Sequence, residues 1–328
     1  MINEENFPDK NFRDYLLSLD EGKDGKFTGS EISSITSIVV NWKNISSLKG
    51  IEHFTALTNL SCCGNQLTDL DISRNTALEI LQCLDNKLKA LNVSQCSRLV
   101  HLWCSGNQLT SLDVSKNTRL DELLCYDNPL KSLDVSKNTR LQSLSCSNNQ
   151  LTKLDVSNNT SLTSLRCSSN KIKGQAMDKL IQGLPTNNTN TTYRLLVYDN
   201  SDENEENTFT KDQASAVKAK GWTPECYDGN SWVECDGHDP IAVQGDVNGD
   251  SDVNGTDLVS LTNVIMGRNA ETPAADVNKD GKVNGTDYVT LANIVLGRNK
   301  ARTRAGSSAS LSIEPFDIRA GETKQMVI

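Results

Sequence analysis

Between residues 57 and 172 the apolar positions recur with a fixed period. Leu120-x-x-Leu123-x-Cys125-x-x-Asn128-x-Leu130 returns 21 residues later as Leu141-x-x-Leu144-x-Cys146-x-x-Asn149-x-Leu151. A repeat of this length predicts a solenoid, whose turns pack only on their neighbours and which presents surface rather than enclosing a chamber. Regular units begin at Leu57, Leu78, Leu99, Leu120, Leu141 and Leu162, after an irregular first unit from Ile35 to Ala56. Each holds two half-repeats, Leu-x-x-Leu-x-Cys and Leu-x-x-Leu-Asp-Val-Ser, and both carry the period-two apolar phase of a short strand. The expectation is two strands per turn, on opposite sides. The Asn series Asn65, Asn86, Asn107, Asn128, Asn149 and Asn170 keeps the same period, and stacked amides can satisfy backbone groups where the chain turns a corner.

The pattern changes at both ends of the repeats. Residues 1–34 read as an N-terminal cap, with an amphipathic helix over 6–17 and a degenerate EF-hand-like loop from Asp20 to Glu31. Residues 175–239 read as the opposite cap: a helix over 175–184, a strand over 193–198 and a helix over 211–220, an end plate for the last apolar turn. Residues 240–300 hold two loop–helix units. Leu258, Leu261 and Ile265 mark the apolar face of the first helix; Tyr288, Leu291, Ile294 and Val295 mark the second. Gly267 and Gly297 are natural helix stops, and Pro240, Gly245 and Pro273 leave no room for a helix entering either loop. A linker over 301–310 leads to 311–328, which alternates like two strands around a Gly turn. Two strands are not stable alone, so this tail reads as the truncated start of a β-domain.

Composition narrows the function. Of 328 residues 36% are hydrophobic and 5% aromatic, low for a closed core but suited to a solenoid of Leu, Val, Asn and Ser. A net charge of −9 argues against nucleic acid and anionic membrane as partners. No apolar run reaches the roughly 20 residues that span a bilayer. The acidic start Met1-Ile-Asn-Glu-Glu is no signal peptide, so the chain either follows a removed leader or is cytosolic.

The cysteines fall into two groups. Cys62, Cys83, Cys104, Cys125, Cys146 and Cys167 share one repeat position, in phase with the inward leucines. Parallel side chains on turns about 4.8 Å apart miss the roughly 3.8 Å Cβ separation of a disulfide, so these read as free buried thiols. Cys63 and Cys96 break the pattern and read as solitary. Cys226 and Cys235 flank the turn Asp228-Gly-Asn-Ser231, and a hairpin closing at Asn230-Ser231 places them opposite each other. A disulfide there would mark an oxidising compartment.

Alternation also identifies the outward face. With Leu and Cys pointing in, the middle three turns put Ile80, Leu84, His101, Trp103, Leu124 and Tyr126 outside, while serines dominate the later turns. These six either form one patch for a protein or glycan ligand, or are scattered surface side chains. No catalytic constellation is evident. His101 faces out while Cys104 faces in, and the carboxylates Asp71, Asp113, Asp134 and Asp155 form a ladder without a cleft. The chain is expected not to be an enzyme.

The two loops, 30 residues apart, carry the chemistry. Asp246, Asn248, Asp250, Asp252, Asn254 and Asp257 occupy positions 1, 3, 5, 7, 9 and 12 of the first; Asp276, Asn278, Asp280, Lys282, Asn284 and Asp287 occupy those of the second. Ca²⁺ takes about 6–8 hard oxygens, and position 7 serves through its backbone carbonyl. Two calcium sites are expected, with Ser251 in the first loop where Gly is usual. Asp20, Asp24 and Glu31 make a third, weak candidate; its position 3 is Gly22, without a ligand oxygen, and a solvated turn is the alternative.

The duplicated Asp-Val-Asn-x-Asp-x-x-Val-Asn-Gly-Thr-Asp followed by a Leu-rich helix, from about Gly245 to Arg298, resembles a type I dockerin. Residues 35–174 resemble the secreted leucine-rich repeat proteins of gut bacteria. The dockerin resemblance implies a cohesin domain as partner and a secreted or cell-surface location. It implies cohesin contacts at Gly255, Thr256, Asn263, Gly285, Thr286 and Asn293, with Gly-Thr where Ser-Thr is common. The fold expected is thus a leucine-rich repeat β-solenoid with α/β caps, followed by a small all-α calcium-binding dockerin. The function expected is a non-catalytic adaptor. The alternatives are an accessory subunit of a polysaccharide-degrading complex, or a structural surface protein in which calcium only rigidifies a joint.

Overall fold

The three residues that precede each repeat cysteine, with the inward Leu at their centre, form a short strand. In the computed structural model, which describes residues 1–189, 191–202, 205–237, 245, 247, 253, 255–269, 272 and 274–296, these strands are β2 (Asn59–Ser61), β3 (Ile80–Gln82), β4 (His101–Trp103), β5 (Glu122–Leu124), β6 (Ser143–Ser145) and β7 (Ser164–Arg166). They follow β1 (Ser37–Val39) and precede β8 (Tyr193–Asp199), β9 (Trp222–Tyr227) and β10 (Trp232–Glu234). Among the described residues the ten strands form one sheet in chain order, parallel except for the β9–β10 hairpin. Register is set by the repeat: Leu81, Leu102, Leu123 and Leu144 align across neighbouring strands and are fully buried.

The second half-repeat is not a strand, contrary to the two-strand expectation. Its backbone donors are taken locally. Ser115 N–H donates to Asp113 Oδ1 (2.9 Å), Asn117 N–H to Val114 O (3.0 Å) and Leu120 N–H to Asn117 O (3.1 Å). An Asx turn followed by two short-range bonds leaves no donors for a ladder. The Asp series Asp71, Asp113, Asp134 and Asp155 is the acceptor set of these turns.

The corner beyond each strand is closed by the Asn series. Asn107 Nδ2 donates to the carbonyls of Cys83, Cys104 and Ser105 (3.0, 3.1 and 3.2 Å), and its Oδ1 accepts from Leu88 N–H (3.0 Å). The six in-phase cysteines are free and fully buried beside it. A second amide ladder, missed in the sequence, runs through Asn75, Asn117, Asn138 and Asn159 on the opposite side, and Cys96 occupies its vacant rung. Cys96 is therefore in phase with that ladder rather than solitary.

The caps continue the core. Helix α1 (Lys10–Ser18) buries Phe12 and Leu16; its N-cap Asp9 accepts from Phe12 N–H and, through the other oxygen, from Ser46 N–H and Oγ. Helix α2 (Gly29–Ser34) leads into β1. Beyond β7 the two helices expected from the hydrophobic pattern, α3 (Gly174–Gly183) and α4 (Lys211–Ala219), cross over between parallel strands. Trp222 is buried, its indole N–H donating to Pro185 O at 2.7 Å. Asn207 extends the first Asn ladder by one rung, accepting from Ile172 N–H and donating to Cys167 O and Val197 O. It lies 37 residues after Asn170, so the period hides it.

Cys226 and Cys235 are disulfide-bonded. The hairpin register differs from expectation: Tyr227 pairs with Trp232 and Cys226 with Val233, so the bridge runs diagonally. The cause is a longer turn, in which Asp228 Oδ1 accepts from both Asn230 and Ser231 N–H.

The chain divides into two compact units, residues 1–238 and residues 239 onward. The second contains helices α5 (Gly255–Ile265) and α6 (Gly285–Val295) around a separate core of Val247, Leu261, Val264, Ala275, Val277 and Leu291. The expected linker over 301–310 and tail over 311–328 lie outside the described residues. No described helix is long and apolar enough to cross a membrane.

Candidate binding surfaces

The second loop wraps its own carboxylates in backbone amides. Asp276 accepts from Asp280 N–H (3.1 Å) and Gly281 N–H (2.9 Å), and Asp280 Oδ1 from Lys282 N–H (2.9 Å). Asp287, fully buried at the start of α6, accepts from Asn278 and Asn284 N–H. Asn284 in turn caps the helix, accepting from Thr286 N–H. Position 6 is Gly281 at φ +82, the left-handed turn that lets the loop close on itself.

The donor set fits a hard cation. Asp276, Asn278, Asp280, Asn284 and Asp287 offer side-chain oxygens within one 12-residue loop, and Lys282 its carbonyl. No three His, Cys, Asp or Glu side chains converge among the described residues. The carboxylates of Asp276, Asp280 and Asp287 are instead each turned onto backbone amides of their own loop. Of the first loop, Asp246, Asn248, Asp250, Asp252 and Asn254 lie outside the described residues. Asp257 matches Asp287: it is fully buried at the start of α5 and accepts from Val247 N–H at 2.8 Å. Gly255, Thr256 and Thr286 are exposed, while Gly285, Asn263 and Asn293 are half-buried.

The N-terminal loop is built differently. Asp20 pairs with Lys23, Asp24 with Lys26, and Glu31 accepts from Thr28 N–H in the capping box of α2. These carboxylates serve three local contacts and are not gathered on one point.

On the outward sheet face, Ile80 sits beside His101 and Trp103 beside Leu124 in adjacent strands, all half-buried. Leu84 and Tyr126 lie one step further along, with the buried Ser105 between their turns. The patch is interleaved with acids: Trp103 Nε1 donates to Glu122 (2.7 Å), and His101 Nε2 lies 3.2 Å from Asp121. The His101 and Trp103 rings are parallel, 6.5 Å apart. Beyond Tyr126 a cleft of 360 Å³ opens, lined also by Arg166 and Trp232. Repeat reasoning missed it because Trp232 is outside the repeats.

Residues 244–296 match the family model described as Dockerin type I domain, and residues 139–180 match that of Leucine Rich repeats in two copies. The chain thus carries leucine-rich repeats followed by a type I dockerin domain. Such dockerins typically bind calcium, and both modules are typically non-catalytic. No curated protein matches the chain significantly. Among solved structures, the functional domain of InlJ from Listeria monocytogenes, which includes a cysteine ladder, is similar at 25% identity, over 60% of this chain and 60% of that one, with TM-score 0.27. An internalin (inlF) from the same species is similar at 20% identity, over 68% of this chain and 76% of that one, with TM-score 0.44. A leucine-rich repeat protein of Leptospira interrogans is similar at 22% identity, over 61% and 51%, with TM-score 0.45.

Proposed function

We propose that the chain is a non-catalytic extracellular adaptor. Its solenoid holds a protein or glycan ligand, and its calcium-loaded dockerin docks on a cohesin domain. The observation that carries the reading is the duplicated loop–helix design, in which Asp257 and Asp287 stand buried at the start of α5 and α6 and each accepts an amide from its own loop. Calcium supplies the charge that lets a carboxylate-rich loop close. In the second loop Asp276, Asn278, Asp280, Asn284 and Asp287 would hold it, with the Lys282 carbonyl. The first loop would use Asp246, Asn248, Asp250, Asn254 and Asp257, with the Asp252 carbonyl. The exposed Gly255-Thr256 and Thr286, beside Gly285, Asn263 and Asn293, are the proposed cohesin contacts. The disulfide between Cys226 and Cys235 supports an oxidising, extracellular setting.

The test is capture of the full chain on a panel of immobilised cohesin domains, in calcium and in chelator. Capture in calcium, lost with chelator and in an Asp257→Ala/Asp287→Ala variant, is expected. Calcium that raises the stability of the second unit while no cohesin captures the chain would replace docking by the rigid-joint reading.

A further inference from the structure

The cleft beyond Tyr126 differs in chemistry from the patch that precedes it. Tyr126 enters from the turn after β5 and Trp232 from β10, and both rings are half-buried. The lining also includes Ser145, Ser147 and Ser168, the last donating its hydroxyl to Ser147 Oγ at 3.1 Å. Arg166 is exposed in the same cleft and forms no ion pair among the described residues, although Asp127 and Asp199 line it too. Those carboxylates are held in place. Asp127 Oδ1 accepts from Asn148 Nδ2 (2.7 Å), and Asp199 Oδ1 from Ser201 N–H and Oγ (2.8 and 2.7 Å). The Trp232 indole N–H also has no protein partner among the described residues, unlike those of Trp103 and Trp222.

We propose that this cleft is a binding site for a neutral saccharide. A pyranose has an apolar C–H face and a rim of adjacent hydroxyls. Flat aromatic rings cover the first. Carboxylates, a guanidinium and serine hydroxyls engage the second, the planar groups two hydroxyls at a time. Fixed carboxylates and an unpaired guanidinium are groups already oriented for a ligand, which lowers the ordering cost of binding. Volume agrees, since 360 Å³ lies near the low end of the roughly 300–1,000 Å³ of small-molecule sites. This suits a short stretch of sugar. Charge narrows the class, because acids outnumber the single Arg166 and an anionic polymer meets repulsion. The site deepens the adaptor reading by naming the class of ligand, but it rests on residues of the first unit alone.

The experiment is calorimetric titration of the full chain, in calcium, with neutral hexasaccharides of glucose, xylose and mannose. An oligogalacturonate serves as the anionic probe and an oligolysine as the cationic one. At least one neutral hexasaccharide is expected to bind, and Trp232→Ala or Arg166→Ala to weaken it by about tenfold or more. Trp232→Phe, which keeps a ring, retains most of the affinity, and Trp103→Ala leaves it unchanged. An unfolding midpoint for each variant separates lost binding from lost fold. Failure of every neutral sugar to bind, preference for either charged probe, or dependence on Trp103 and not Trp232 would overturn the proposal. Cohesin capture by Trp232→Ala, expected to be intact, shows that either claim can fail alone.

Discussion

Asn107 and Asn117 carry the same side chain and make different bonds. Asn107 donates to three carbonyls and accepts from Leu88 N–H. Asn117 donates to Val93 O and Cys96 O, while its Oδ1 is buried without a partner, as are those of Asn75, Asn138 and Asn159. An orphaned buried oxygen costs much of what the donated bonds contribute. The Cys at position 96 shows that this second ladder tolerates a missing amide. Asn107→Cys is therefore expected to cost about 3 kcal/mol and Asn117→Cys about 1 kcal/mol. Denaturant midpoints compare the two, and equal losses would refute the ranking. Glu205 makes a pH-dependent contribution. Burial pushes its pKa up, against backbone N–H donors that include Ser169, Asn207 and Asp199. An acid with a raised folded pKa contributes stability below its unfolded pKa and loses it as pH rises through the folded value. Stability relative to Glu205→Gln should thus fall from about pH 4.5, the ordinary Glu value, upward. A difference that is flat or rises with pH over that window would contradict the assignment.

At the scale of the element, each turn is one strand and one chain of tight turns. The strand side carries the thiol column. Burial pushes the Cys104 and Cys146 thiols up to about 12 and also raises those of Cys62, Cys83, Cys125 and Cys167. The thiolate is the reactive form, so these groups are inert in the folded chain. A thiol-reactive chromophore should label none of the six before unfolding and all eight free cysteines in denaturant. Labelling of a ladder cysteine faster than global unfolding would mean that the column opens locally. The turn side explains why the two half-repeats, alike in apolar phase, differ in structure. Phase reports which side chains are buried, whereas the Asp113–Ser115 Asx turn decides where the backbone donors go.

For the whole molecule, two cores that share no residue imply two unfolding transitions. Calcium binds only the folded loops under the proposed function, so it should raise the second unit's transition alone. A free concentration 100 times the dissociation constant adds about 2.7 kcal/mol. Calorimetry of the full chain in calcium and in chelator reads this directly. A shift in the solenoid transition would place a metal site in the first unit.

The period, the inward leucines, the first Asn ladder, the free thiols, the cap helices and the loop–helix design of the second unit were legible in the sequence because each is local or repeats at a constant offset. A loop motif within twelve residues, or a side chain recurring every 21, needs no knowledge of distant neighbours. The second ladder of Asn75, Asn117, Asn138 and Asn159 had the same signal and was open to the same reading. Other features depended on what happens where the period stops. Asn207 becomes a ladder rung because α3 and β8 are inserted before it, and the hairpin register follows from the hydrogen bonds of its turn. Tyr126, Arg166, Asp199 and Trp232 meet only because β8, β9 and β10 continue the solenoid sheet. Periodicity determines which face a residue is on; only chain crossovers decide which distant residues share a cleft.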